Sequence, residues 1–147
     1  MVNRISGQRP VVPEVFESDW RIVYALSDFQ DDETILEIIH GYLEYFGYDD
    51  VCVKNSDAAI AAYTDAMQSG HPFDAVIMDL TVPGGKGGKE AMERLLLIDP
   101  GIRAIVSSGY SQDAVIAEYT SYGFKGVLIK PYTVEAFSLV LREVLSR

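Results

Sequence analysis

The stretch Phe73-Asp74-Ala75-Val76-Ile77-Met78-Asp79-Leu80-Thr81-Val82-Pro83-Gly84-Gly85 narrows the choice of fold more than any other part of the chain. A continuous apolar run from Ala75 to Met78 ends abruptly in one carboxylate, and turn formers follow. Such a run, bounded by turn signals, reads as a strand buried on both faces, here residues 74–79. In an open parallel sheet, chemistry gathers at the carboxyl ends of the strands. Asp79 at such an end is either a cap for the next helix or a working group, and the other strand ends must decide between them.

The remaining chain alternates strand and helix signals. Arg21 to Leu26 reads as the first strand, and Ser27 to Glu33 as an acidic loop. Ile35, Ile38, Ile39, Tyr42, Leu43 and Phe46 then recur with the spacing of one helix face, which Gly47 closes as a C-terminal cap. Val51–Val53 is a short second strand. Asp57–Gln68 is an alanine-rich helix capped by Asn55 or Ser56 and ending near Gly70. A loop, Gly84 to Lys89, opens a helix to about Ile98. It superficially resembles a phosphate loop, but neither Lys86 nor Lys89 is followed by Ser or Thr. Arg103–Ser107 is the fourth strand, and a helix from Gln112 to Tyr122, capped by Ser111 and closed by Gly123, follows. Gly126–Ile129 is the fifth strand, ending in Lys130-Pro131. The last helix, about Val134 to Ser146, buries Phe137, Val140, Leu141, Val144 and Leu145.

Five strands alternating with five helices predict an α/β fold, a (βα)5 doubly wound parallel sheet. Right-handed crossovers and the strand order 2-1-3-4-5, the flavodoxin-like order, place the crevice between the first and third strands. Residues 1–19 lack periodicity and read as a linker or tail, leaving 20–147 as the domain. With 147 residues, 48% of them hydrophobic, the chain is long enough for one packed core. A net charge of −10 disfavours a nucleic-acid surface and suits a basic partner or a bound cation. The single cysteine, Cys52, rules out an internal disulfide and reads as a buried strand thiol in a reducing compartment. No apolar run is long enough to span a membrane and no secretory signal opens the chain, so a cytoplasmic protein without direct membrane contact is expected. His40 reads as a helix-surface histidine and His71 as a solvated turn residue.

That fold would bring the acidic loop, Asp79, Ser108 and Lys130 to one crevice. Crowded carboxylates repel one another unless a cation intervenes, and oxygen ligands with a watery side suit Mg²⁺. An ionised Asp79 can then act as a nucleophile toward a phosphoryl group. Lys130 and the metal would neutralise charge on the transferring oxygens, and the Ser108 hydroxyl would donate to the attached group.

These motifs together resemble the receiver domain of two-component response regulators, over the chain from about Trp20 to the last helix. The strand ending in Asp79, with Pro83 four residues on, resembles the phosphoacceptor motif. Val106-Ser107-Ser108-Gly109-Tyr110 resembles the fourth-strand hydroxyl motif, with Ser107 as the register alternative to Ser108. Lys130-Pro131 resembles the fifth-strand Lys-Pro pair, often joined by a cis peptide. The Asp-Leu-Thr-Val-Pro-Gly-Gly and Ser-Ser-Gly-Tyr-Ser runs look like receivers of hybrid sensor histidine kinases.

The resemblance implies phosphoryl transfer from a partner phosphohistidine, on a histidine kinase or histidine phosphotransfer protein, to Asp79. The domain would assist this transfer and a slow dephosphorylation without being an enzyme in its own right. It implies Mg²⁺ held by Asp79, an acidic-loop Asp (Asp28 or Asp31) and the Thr81 backbone carbonyl. It further implies a switch at Ser108, Lys130 and Pro131 that reshapes the fourth and fifth helices, and leaves room for a homodimer.

Two departures stand out: one acid of the usual adjacent pair after the first strand is missing, and Val127 replaces a frequent aromatic switch residue. The competing expectation is a degenerate receiver, an interaction module independent of phosphorylation. A flavin binder fits poorly, because the Asp28 to Glu33 loop repels phosphate. An Asp-nucleophile phosphatase fits poorly too, because Thr81 stands where its second Asp would be. No output domain follows the last helix, so the expectation is a stand-alone receiver or a piece of a longer kinase.

Overall fold

Apolar runs without polar alternation require cover on both sides, and the central strands obtain it from helices. The computed structural model of the chain describes residues 20–25, 33–80, 86–109, 114–131 and 133–146. In order these form β1 (Arg21–Ala25), α1 (Glu33–Tyr45), β2 (Asp49–Val53), α2 (Ser56–Gln68), β3 (Ala75–Leu80) and α3 (Lys86–Ile98). Then come β4 (Ala104–Ser108), α4 (Ala114–Ala117), a 3₁₀ turn (Tyr119–Tyr122), β5 (Gly126–Ile129) and α5 (Val134–Leu145). The strands form one parallel sheet in the order β2-β1-β3-β4-β5, as expected. The expected linker, residues 1–19, and the acidic loop before α1 lie outside the described residues.

Alternation along each strand divides the core in two. Val23, Ala25, Val76, Met78, Leu80, Ala104 and Val106 pack with Ala59, Ile60 and Tyr63 of α2 and Met92 and Leu95 of α3. Ile22, Tyr24, Ala75, Ile77, Ile105 and Leu128 face the opposite way, onto Ile39 and Leu43 of α1 and Phe137, Leu141 and Val144 of α5. The rings of Tyr42 and Phe137 meet edge-on at 5.4 Å and tie α1 to α5. Phe137 is fully buried, so truncating it to Ala would cost roughly 3–5 kcal/mol.

The helix ends follow local chemistry. Gly47 takes φ +87°, with Tyr48 N donating to Leu43 O and Gly47 N to Glu44 O, the paired bonds that close a helix through a left-handed residue. Asn55 caps α2 by accepting from Ala58 N at 2.7 Å. Thr133 caps α5 by accepting from Ala136 N at 3.0 Å.

Four expectations are corrected. β3 and β4 each sit one residue later than read, because Asp74 is spent before the strand: its carboxylate accepts from Arg21 N and its own N–H donates to Arg21 O. Ile38 is 48% exposed, since the sheet-facing line of α1 runs through the half-buried Leu36 and the buried Ile39 and Leu43. Of the single helix expected over 112–122, the described residues form α4 up to Ala117 and a separate 3₁₀ turn, with a break at Glu118 (φ −122°, ψ 36°). In a three-residue period Tyr119 and Tyr122 stack on one side, and both pack against the core there. Cys52, expected to be buried, is only half-buried because β2 is an edge strand.

Candidate functional site

Parallel register brings the carboxyl ends of β3, β4 and β5 side by side. Asp79 is opposite Ser107, Leu80 is opposite Ser108, and Ser108 is opposite Ile129, the residue before Lys130. Lys130 N donates to Ser108 O at 2.8 Å, which ties the β5 exit to the end of β4, and the Lys130–Pro131 peptide is cis. From this anchored backbone the Lys130 side chain turns back over β3. Its Nζ lies 2.7 Å from Asp79 Oδ1, with the carboxylate fully buried and the lysine side chain 24% exposed.

The two oxygens of Asp79 are held differently. The Tyr24 hydroxyl donates to Oδ2 at 2.6 Å, inside the core. Oδ1 has the Lys130 charge beside it but no aligned hydrogen bond among the described residues. A buried carboxylate is tolerated only when paired and hydrogen-bonded, and here one strand supplies the donor and another the cation. Ser107 Oγ, next to Asp79 in register, is buried and has no hydrogen-bond partner among the described residues.

The structure therefore joins Asp79 to Lys130 and sets Ser108 and Pro131 at the adjoining strand ends. Asp28, Asp31 and Thr81, expected as metal ligands, lie outside the described residues, as do Pro83, Tyr110 and Ser111. Among the described residues no cluster of three or more His, Cys, Asp or Glu is arranged to hold a metal ion. What Asp79 offers is one hard oxygen, Oδ1, whose lone pairs are not taken up by aligned donors, and such an oxygen suits a divalent cation.

Tyr24 is the residue that sequence reasoning missed. A tyrosine within an otherwise aliphatic, doubly covered strand is the available signal, because a buried phenol must find a partner. His40 and His71, set aside as surface residues, are both exposed.

The family model for the response regulator receiver domain matches residues 29–142. The chain belongs to that family, the receiver domains of two-component signalling. It is 29% identical over 101 residues to the transcriptional regulatory protein AruR of Pseudomonas aeruginosa, a match covering 69% of this chain and 41% of that protein. It is 35% identical over 71 residues to the chemotaxis protein CheY of Thermotoga maritima, covering 46% of this chain and 58% of that protein. The chain thus matches about half the length of these relatives.

Among solved structures, a CheY-like receiver domain from Methanospirillum hungatei superposes with a TM-score of 0.71 at 22% identity, over 88% of this chain and 95% of that one. The receiver domain of a sensor histidine kinase from Pseudomonas aeruginosa, with a magnesium ion coordinated in its active-site cleft, gives 0.72 at 16% identity, over 88% and 100%. At such identities these likenesses establish the fold. No helix among the described residues is long and apolar enough to cross a membrane.

Proposed function

We propose that this receiver domain accepts a phosphoryl group on Asp79 from a phosphohistidine of a histidine kinase or histidine phosphotransfer protein. The observation that carries the reading is the buried pair of Asp79 Oδ1 and Lys130 Nζ at 2.7 Å, where the ends of β3 and β5 converge. A fold stabilised by apolar burial has little use for an ion pair at such a place, because desolvation offsets much of the attraction. A nucleophile has a use for it: the ammonium beside Oδ1 is already aimed at the charge of an incoming phosphoryl group.

Lys130 also closes the site. Asp79 is 1% exposed, and the lysine, open to water on one side, is the lid that swings toward the phosphoryl oxygens as the donor arrives. Mg²⁺ would be held by Asp79 with Asp28 or Asp31 and the Thr81 carbonyl, and would screen the charges brought together in transfer. Ser108, at the end of β4, is the hydroxyl that would follow the attached group. Because Lys130 N is bonded to Ser108 O, movement of one strand end is transmitted to the other, and the surface of α4, β5 and α5 would change with it.

Incubation with a small-molecule phosphodonor and Mg²⁺ should add one phosphoryl group by intact mass. Asp79→Asn should abolish the addition while leaving the circular dichroism spectrum unchanged. A folded, unmodified wild-type chain that takes no label would instead support the phosphorylation-independent interaction module.

A further inference from the structure

The contact between Tyr24 and Asp79 reaches diagonally across the sheet. Tyr24 is in register with Ile77, two residues short of Asp79, and both side chains belong to the side of the sheet covered by α1 and α5. Two strand residues span about 6.6 Å, a gap that a phenol bridges and that Leu, Ile or Val would not. Tyr24 is fully buried, and its hydroxyl meets Oδ2 at 2.6 Å. A hydroxyl donating to a carboxylate oxygen makes a charge-assisted bond, stronger than one to a neutral acceptor.

Phosphorylation changes what this hydroxyl faces. In the reaction proposed above, Oδ1 attacks phosphorus, the O–P bond forms, and the bond from phosphorus to the donor's imidazole nitrogen breaks. That nitrogen keeps the electron pair, and the imidazole leaves neutral because its other ring nitrogen carries the proton. Asp79 becomes an acyl phosphate, and Oδ2 becomes its neutral carbonyl oxygen. On hydrolysis, water attacks phosphorus, the same O–P bond breaks, inorganic phosphate leaves and the carboxylate regains its charge. A donor binds a carboxylate oxygen more strongly than a neutral carbonyl. A hydroxyl fixed on Oδ2 therefore favours the free carboxylate over the phosphorylated form, and it stabilises the departing carboxylate as the O–P bond breaks.

We infer that Tyr24 is a positioning residue that shortens the lifetime of the phosphorylated domain by holding Asp79 Oδ2. The inference rests on Asp79 being the phosphoacceptor. It predicts that Tyr24→Phe, which keeps the ring and removes the donor, lengthens the half-life of the phosphorylated domain about fivefold.

The test labels the whole chain with a small-molecule phosphodonor, removes the donor, and follows loss of the phosphoryl group by intact mass. It compares wild type, Tyr24→Phe and Tyr24→3-fluorotyrosine. The fluorinated phenol keeps the ring and is a stronger donor, so its half-life should fall below that of wild type. Loosened packing alone would not move the two variants in opposite directions. The carboxyl ¹³C shift of Asp79 in the unphosphorylated protein should differ between wild type and Tyr24→Phe, which reads the hydrogen bond without any transfer. If wild type takes no label, the phosphoacceptor reading falls and this inference with it. If wild type is labelled but the half-lives agree, or both variants shift the same way, Tyr24 has no such role and the phosphoacceptor reading stands.

Discussion

Lys130 Nζ and Asp79 Oδ1 are 2.7 Å apart, yet only the lysine has access to water: its side chain is 24% exposed and that of the aspartate is fully buried. The pair is thus asymmetric. If the carboxylate is neutralised, the ammonium can turn outward and be solvated; if the ammonium is removed, the carboxylate has nowhere to go. Lys130→Met should therefore lower the free energy of unfolding by about 3 kcal/mol, the cost of an uncompensated buried charge. Asp79→Asn should cost less than about 1 kcal/mol, because the amide oxygen still accepts from Tyr24. Urea unfolding of both variants at one pH measures this, and equal losses would mean that the carboxylate is better solvated than the geometry indicates.

Gly126 leaves room on β5 for two valines of α5. A Cβ built there would lie 2.9 Å from Val144 Cγ2 and 3.1 Å from Val140 Cγ1, both on α5. Neither is the end of a flexible chain, since β-branched side chains in helices have one favoured rotamer. Gly126→Ala should destabilise the domain by about 1–3 kcal/mol through overpacking. Val140→Ala should recover part of the loss in a double-mutant cycle. Additive effects would show that α5 shifts as a body instead.

The periodicities that specify this fold are local, which is why the five strands, five helical segments and sheet order were legible in the residues. Asp79 and Lys130 were legible for a related reason: both stand where an apolar run stops, and topology alone brings those stops together. The Tyr24 contact was not legible, because it joins residues two steps out of register on neighbouring strands. Only the register of β1 against β3 reveals that diagonal. The break at Glu118 was hidden as well, since no Gly or Pro falls between Gln112 and Tyr122 to signal it. Ile38 shows the limit of an apolar stripe as a guide: the stripe on α1 is wider than the line that touches the sheet.

Cys52 should be slow to react although it is only half-buried. Burial, then the Asp50 charge, then the hydrogen bond its thiol donates to Asp50 at 3.5 Å push its pKa up to about 12. Against an ordinary thiol near 9 that is about a thousandfold less thiolate at pH 8, partly offset by the greater nucleophilicity of a more basic thiolate. Alkylation by iodoacetamide at pH 8 should run roughly thirty- to sixtyfold slower than for a model peptide. Asp50→Asn, which removes two of the three causes, should speed it several-fold. Denaturant should restore the peptide rate.

His40 and Asp50 link α1 to the edge strand β2, and the link should weaken as pH rises. His40 Nδ1 lies 2.9 and 2.8 Å from the two carboxylate oxygens of Asp50, and because a carboxylate only accepts, this nitrogen carries the proton. That hydrogen bond first, and the Asp50 and Glu44 charges with it, raise the His40 pKa above 6.5 against a smaller opposing effect of burial. Cys52, which also contacts Asp50, stays neutral across this range. A raised folded-state pKa means that the stabilisation is fully present below 6.5, the unfolded value, and is lost as pH climbs through the folded value. His40 is 53% exposed, so solvent screens the pair and the contribution should be a few tenths to about 1 kcal/mol. The urea midpoint of wild type, compared with that of His40→Gln, should hold an advantage at pH 6 that shrinks by pH 8. A difference between the two proteins that does not change with pH would show that the contact holds α1 to β2 by packing and a neutral hydrogen bond alone.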